Sequence, residues 1–348
     1  MRIAGRTRIV ALLVMALSSA SASAQFTVLD QAQDAIGQTS VAQAAPEAPP
    51  PPCGNQTISI ASMSWPAAQV LAEIHARLLA AHYGCAVRVT PGDLVSTGSS
   101  MGSSGQPAVA PEMWATRIAE IWNRGIAAQN LRPAAPTYVE TAFEGWFIPG
   151  TLALTQPGLR RAADLAAVLP TLNGGRKVRF ISCPPDWACA VINRNLIAAH
   201  GLSDLVELIE PANRFEMDTL IAEAAGRNQP VLLYYWQPNA VLGQLDLFAL
   251  DMGPYDGEAA KCLAQLVCAA PQPSAFPPET VVVALSEWVF GDIPAIAGYF
   301  QRSSLPLAEM NMLLAQLNEP GATVAGIADR FVAEREEIWR AWVGSATR

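Results

Sequence analysis

Lysine is almost missing from this 348-residue chain: only Lys177 and Lys261 occur, and Lys and Arg together number 22 against 30 Asp and Glu. Phosphate backbones are gripped by clustered basic side chains, so an acidic chain this poor in them is not built for nucleic acid. Histidine is nearly as scarce. His75, His82 and His200 sit near no Ser nucleophile and no paired carboxylates in a recognisable motif, which argues against a hydrolase. No CxxC occurs and the histidines form no ligand-spaced cluster with the cysteines, so no metal is expected. The Gly/Ser cluster from Thr97 to Gly105 lacks the GxxxxGK[ST] pattern, which removes that type of phosphate loop. No cofactor is implied and no enzyme is expected. A run long enough to cross a bilayer is absent too, since Ile9–Leu17 is too short and no later stretch reaches the length.

What is present points outward from the cytoplasm. Arg2, Arg6 and Arg8 precede that apolar run, and Ala22-Ser23-Ala24 follows it as a small-residue cleavage site, so residues 1–24 read as a secretory signal peptide and the periplasm as the destination. Its removal takes three Arg from 22 basic residues, and the mature chain of 19 Lys and Arg against 30 Asp and Glu carries a net charge of −11. Residues 25–52, rich in Ala, Gln and Pro, read as an extended tether. Six cysteines in an exported chain imply disulfides. The spacing suggests Cys53 with Cys85, Cys183 with Cys189, and Cys262 with Cys268, among the fifteen pairings that six cysteines permit.

From Cys53 on, strand-like and helix-like runs alternate. ISIASM (Ile58–Met63) reads as a buried strand, and Ser64-Trp65-Pro66 opens a helix with Ser as N-cap. Its apolar positions Val70, Leu71, Ile74 and Leu78 recur at helical spacing before Gly84 ends it. Further strands are expected at Cys85–Thr90, Pro107–Pro111, Lys177–Ser182, Val206–Ile209, Pro230–Trp236 and Val281–Ser286, with helices between them and a last one from Thr323 to Trp342. Val95–Gly105 is open between a weak helix and a loop, and the segment Thr137–Pro149 reads as a crossing between lobes. The pattern gives an α/β fold with largely parallel sheets in two lobes, 53–143 with 281–348 and 147–280.

Nine tryptophans are then the dominant chemistry. Packing is the ordinary role of Trp, and Trp122, Trp288, Trp339 and Trp342 fit it. Trp65, Trp114, Trp187 and Trp236 instead follow strand-like runs directly or after a short loop, where open α/β sheets bind ligands. Trp faces attract cations, at roughly 2 kcal/mol or more for a desolvated contact. Several together suit a quaternary ammonium group.

On these residues the chain resembles the substrate-binding proteins of ABC importers for quaternary amines, the glycine betaine, proline betaine and choline binders. Cys183-Pro184-Pro185-Asp186-Trp187-Ala188-Cys189 is similar to a stapled, Trp-bearing loop of the betaine binders, and Glu112-Met113-Trp114 and Tyr235-Trp236-Gln237-Pro238 are similar to their other Trp loops. The resemblance implies a bilobal periplasmic binding protein of type II. Trp65, Trp114, Trp146, Trp187 and Trp236 become walls of a cation cage, and the amides of Ala188 and Cys189 become donors to a ligand carboxylate. It also implies a monomer that delivers a small quaternary amine to a membrane permease. The chain departs from the pattern where Ile118 and Val241 replace a carboxylate-holding His and where Ala67 stands for an Asp of choline binders. Glu144 reads as a hinge-side carboxylate or an ammonium partner, and Arg117 as a surface helix charge.

Overall fold

The structure, a computed structural model, describes residues 52–344. The signal peptide and all but the last residue of the tether lie outside the described residues. Ten strands run in chain order: β1 (Ile58–Met63), β2 (Val87–Gly92), β3 (Val109–Trp114), β4 (Leu131–Pro136), β5 (Glu144–Pro149), β6 (Val178–Ile181), β7 (Val206–Ile209), β8 (Val231–Trp236), β9 (Leu247–Ala249) and β10 (Val281–Ser286). They form two five-stranded sheets, ordered β2-β1-β3-β10-β4 and β7-β6-β8-β5-β9. Helices cover both, so this is the expected α/β architecture.

The first sheet is parallel where the chain first builds it. β1 pairs in parallel with β2 and β3. β10, arriving from the second sheet, lies antiparallel between β3 and β4. In the second sheet, β6 is parallel to β7 and β8, while β5 runs antiparallel to both β8 and β9. The expected largely parallel sheets are therefore mixed. Both crossing strands, β5 and β10, run opposite to the two neighbours they pair with.

Apolar periodicity explains the layers. Val70, Leu71, Ile74 and Leu78 form the buried stripe of helix Pro66–Tyr83 over β1 and β3. Burying such a side chain contributes about 1.5–3 kcal/mol. The helix opens with Pro66 at its first position and ends at Gly84, whose φ of 68° suits a residue without Cβ. Ser64 is not its cap; Trp65, with extended backbone, takes the N-cap place. The Gly/Ser-rich stretch is a helix, Leu94–Ser104, started by the Asp93 carboxylate accepting from the Ser96 amide. Disulfides join Cys53 to Cys85, Cys183 to Cys189 and Cys262 to Cys268, with sulfurs 2.04, 2.07 and 1.96 Å apart. Among the described residues no helix is long and apolar enough to cross a membrane.

Candidate functional site

The carboxyl ends of β1, β3 and β8 meet at one cavity of about 360 Å³. Three of the strand-ending tryptophans line it: Trp65 after β1, Trp114 at the end of β3 and Trp236 at the end of β8. The first sheet's lobe contributes Trp65 and Trp114, and the second contributes Trp236, Arg214 and the loop Pro238–Ala240. Leu314, in helix Leu307–Gln316, and Leu317 and Asn318, in the turn that follows it, line the cavity as well.

Glu112 organises the first two tryptophans. It is 1% exposed. One carboxylate oxygen accepts from Trp65 Nε1 at 2.9 Å and the other from Trp114 Nε1 at 3.1 Å. Residues 112 and 114 point to the same face of β3 because side chains alternate along a strand, and Trp65 reaches that face from the start of the neighbouring helix. Burial pushes the Glu112 carboxyl up to about 7, against the pull of the Trp65, Tyr138 and Trp114 donors and the Arg117 charge. Tyr138 is buried beside this carboxylate, and its hydroxyl interacts with Glu112 at a geometry looser than that of the two indole donors.

Two arginines already lie on the aromatic faces. The Arg117 guanidinium carbon is 4.2 Å from the Trp114 ring centre, and that of Arg214 is 5.4 Å from Trp236. Arg117 is held from behind by Glu279 at 3.0 Å, a residue of the segment leading back into β10. Arg214 donates to Asn239 Oδ1 at 3.4 Å and lies 3.6 Å from Asp218. Both arginines line the cavity. Arg117 is exposed, as expected of a surface charge, but a short 3-10 turn, Ala115–Ile118, in place of an α-helix sets it over Trp114 and beside Glu279. A turn tighter than an α-helix is hard to read from residue types, and Arg214, ten residues beyond Asp204 with no motif around it, gave no signal in the sequence.

Trp187 touches the site's edge without lining it. Its ring meets Trp236 edge to face at 5.6 Å between centres, and Trp236 also stacks on Tyr235 at 4.7 Å. Ala188 and Cys189 form the first turn of helix Ala188–Ala199. Neither lines the cavity in this conformation.

Trp146 is not a wall. It is fully buried, its Nε1 donates to Asn193 Oδ1 at 2.9 Å, and its ring packs on Phe180 and His200. The physical reason is its place inside the second sheet: β5 lies between β8 and β9, and helix Ala188–Ala199, which carries Asn193, covers that face. Glu144, two residues earlier on the same face, accepts from the Tyr234 hydroxyl at 2.6 Å, and burial raises its carboxyl above the usual range. It pairs in register with Trp236 rather than lining the cavity. Trp122, Trp339 and Trp342 are buried packing residues, and Trp288 donates to the Gly105 carbonyl.

Residues 56–334 match the family described as the substrate-binding domain of ABC-type glycine betaine transport systems, OpuAC. The chain belongs to this family. It is a family of solute-binding proteins that serve ABC transporters, not of enzymes. Among solved structures, the chain is similar to apo YehZ from Escherichia coli, with 15% identity, a TM-score of 0.57, and 81% of this chain against 99% of that one covered. It is likewise similar to a structure titled as a glycine betaine/carnitine/choline ABC transporter, at 12% identity and a TM-score of 0.53, with 81% and 99% covered. At such identities the likeness concerns the fold, which is that of bilobal periplasmic binding proteins. Comparison with curated proteins gives no match.

Proposed function

We propose that this cavity binds a quaternary ammonium compound of the glycine betaine type and that the protein hands it to a membrane permease after export to the periplasm. The observation that carries the reading is the meeting of Trp65, Trp114 and Trp236, from two lobes, around one cavity. Trimethylammonium has no N–H to donate, so aromatic faces in a water-poor cleft are its natural partners. The lobes, 53–143 with 281–348 and 147–280, move as units about the two crossings near residues 143 and 280. Closure brings Trp187 and the amides of Ala188 and Cys189 toward the ligand and excludes water. The protein acts as a monomer.

For a betaine carboxylate, the cavity offers Arg117 and Arg214, whose guanidinium groups rest on the Trp faces. Ligand entry displaces them from the faces, and each is then free to take the carboxylate with two N–H donors. A choline-type ligand is the second reading. Buried Glu112, whose nearest lining cation Arg117 is already paired with Glu279, adds negative potential behind the cage and favours a ligand with net positive charge.

Calorimetric titration of the mature protein against glycine betaine, proline betaine, choline and carnitine decides the matter. Saturable heat with a betaine, accompanied by a change in Trp fluorescence, is the expected result. A stronger response to choline than to any betaine moves the assignment to the second reading. No heat and no fluorescence change with any of the four overturns both.

A further inference from the structure

Glu112 is the one carboxylate in the cavity lining, it is buried, and both of its oxygens are committed to cavity tryptophans. We propose that Glu112 is the positioning residue of the site: its ionised form sets Trp65 and Trp114 at a fixed mutual angle and makes their faces stronger cation acceptors, so that ligand affinity rises and falls with its charge. This rests on the reading that the cleft takes a quaternary ammonium compound.

The argument starts from what each form of the carboxyl can accept. An ionised carboxylate is an acceptor on both oxygens, and a protonated one turns one oxygen into a donor. With the proton on, two indole N–H groups compete for one good acceptor, and one tryptophan loses its anchor. The remaining charge effect has the same sign. An indole donating to an anion has a more negative ring face than one donating to a neutral oxygen, and cation binding to that face is an electrostatic attraction. A trimethylammonium group in the cavity also sees the carboxylate's own charge across a low-dielectric gap. Each effect makes the bound cation prefer ionised Glu112. By reciprocity, binding must expel a proton wherever free Glu112 is partly protonated.

The groups facing Glu112 set where that happens. Arg117, on the turn after β3, favours the anion. Tyr138, after β4, titrates far above the neutral range because of burial and the nearby carboxylate. Arg214 faces the same cavity from the second lobe. β1 (Ile58–Met63) and β10 (Val281–Ser286) contribute no titratable side chain, and neither do the lining residues Leu314, Leu317 and Asn318. Since burial has already brought the carboxyl close to neutrality, the coupling falls within the pH range where the protein is handled.

The test is a calorimetric series with choline and with glycine betaine from about pH 5.5 to 8.5, on the wild type and on Glu112→Gln. A downward displacement of the Glu112 pKa by about one unit on binding corresponds to affinity that is roughly tenfold weaker at the acidic end. Glu112→Gln should bind more weakly at high pH and show no trend across the series. Runs in two buffers of different ionisation heat should show proton release for the wild type and none for the variant. A second measurement needs neither ligand nor variant: the fluorescence of the free wild-type protein should change with a midpoint near neutrality as Trp65 and Trp114 lose their shared acceptor. Firm binding with flat affinity over the whole range, or a variant with the wild-type pH trend, overturns the role of Glu112 and leaves the ligand reading standing. Failure of the wild type to bind either probe at any pH removes the ligand reading and this proposal with it.

Discussion

Taking an indole away from the cavity and taking one away from the core should leave opposite signatures. Trp114→Ala and Trp236→Ala each remove a face that lines the cleft. A desolvated cation contact is worth roughly 2 kcal/mol, which is about 30-fold in affinity, so each variant should bind the ligand at least tenfold more weakly in calorimetry. Trp146→Phe should do the reverse. It leaves Asn193 Oδ1 without its indole donor in a buried site, at a cost of about 1–3 kcal/mol in denaturant unfolding, while the folded protein keeps its affinity. A loss of affinity in Trp146→Phe that matches the cavity variants would return Trp146 to the cage. Among titratable residues, His75 makes a separate statement about acid. It is fully buried, its Nδ1 lies 2.7 Å from the Tyr299 hydroxyl, and burial lowers its pKa from 6.5 to about 3. The unfolded chain therefore binds more protons than the folded one between those two values. The stability from keeping His75 neutral is present above pH 6.5 and is lost as pH falls toward 3. His75→Gln should flatten the stability curve over that window; an unchanged acid limb would show that other groups govern it.

At the scale of elements, periodicity carried most of the reading and punctuation carried the rest. Ile58–Met63, Val206–Ile209 and Val281–Ser286 are strands at the boundaries expected, because apolar runs between turn residues leave few alternatives. β4 was invisible: Leu131–Pro136 contains two prolines, which read as breakers, yet an edge position next to β10 tolerates them. β9, three residues long, is too short to carry a period. The expected single C-terminal helix is two, Val324–Glu334 and Glu336–Val343, because Arg335 leaves helical geometry (φ −114°, ψ 38°) where its guanidinium reaches the nearly buried Glu309. Of the site, the Trp positions at strand ends were legible and the groups that orient them were not. Glu112 and Arg117 act through contacts between elements, which residue spacing along one chain segment does not encode. The helix Leu94–Ser104, which brings Leu94 to the cavity, shows how much a single cap can decide. Its Gly and Ser residues are weak helix formers, so the Asp93 side chain is what starts it. Asp93→Ala should speed amide exchange across residues 94–104 while Asp93→Asn, another good cap, leaves it slow; equal exchange in the two variants would show that packing alone holds this helix.

The whole molecule turns on how its lobes touch beyond the cavity. Asn239, buried after β8, accepts at its side-chain oxygen from the Tyr235 hydroxyl at 3.1 Å and caps helix Ala240–Gln244 through the Val241 backbone N–H, while its own backbone N–H donates to Asn311 Oδ1 at 2.7 Å. Asn311 belongs to helix Leu307–Gln316, on the other lobe. Four residues on, Gly243 lets these two helices come into backbone contact: a Cβ there would overlap the carbonyl of Asn311 and the amide of Met312. The obstacle is backbone, so it cannot be relieved by a rotamer change. The same C-terminal segment supplies Leu314 and Leu317 to the cavity wall. A wedge at Gly243 therefore moves a wall of the site without touching any residue in it. Gly243→Ala should open the cleft, seen as a larger radius of gyration in small-angle scattering of the ligand-bound protein. Affinity should fall several-fold, because part of the binding energy is then spent on bringing the lobes together. The local fold should survive, since Val241 and Trp236 keep their own contacts in the second lobe. Unchanged scattering together with unchanged affinity would mean that the helix pair gives way elsewhere and that closure does not depend on this contact.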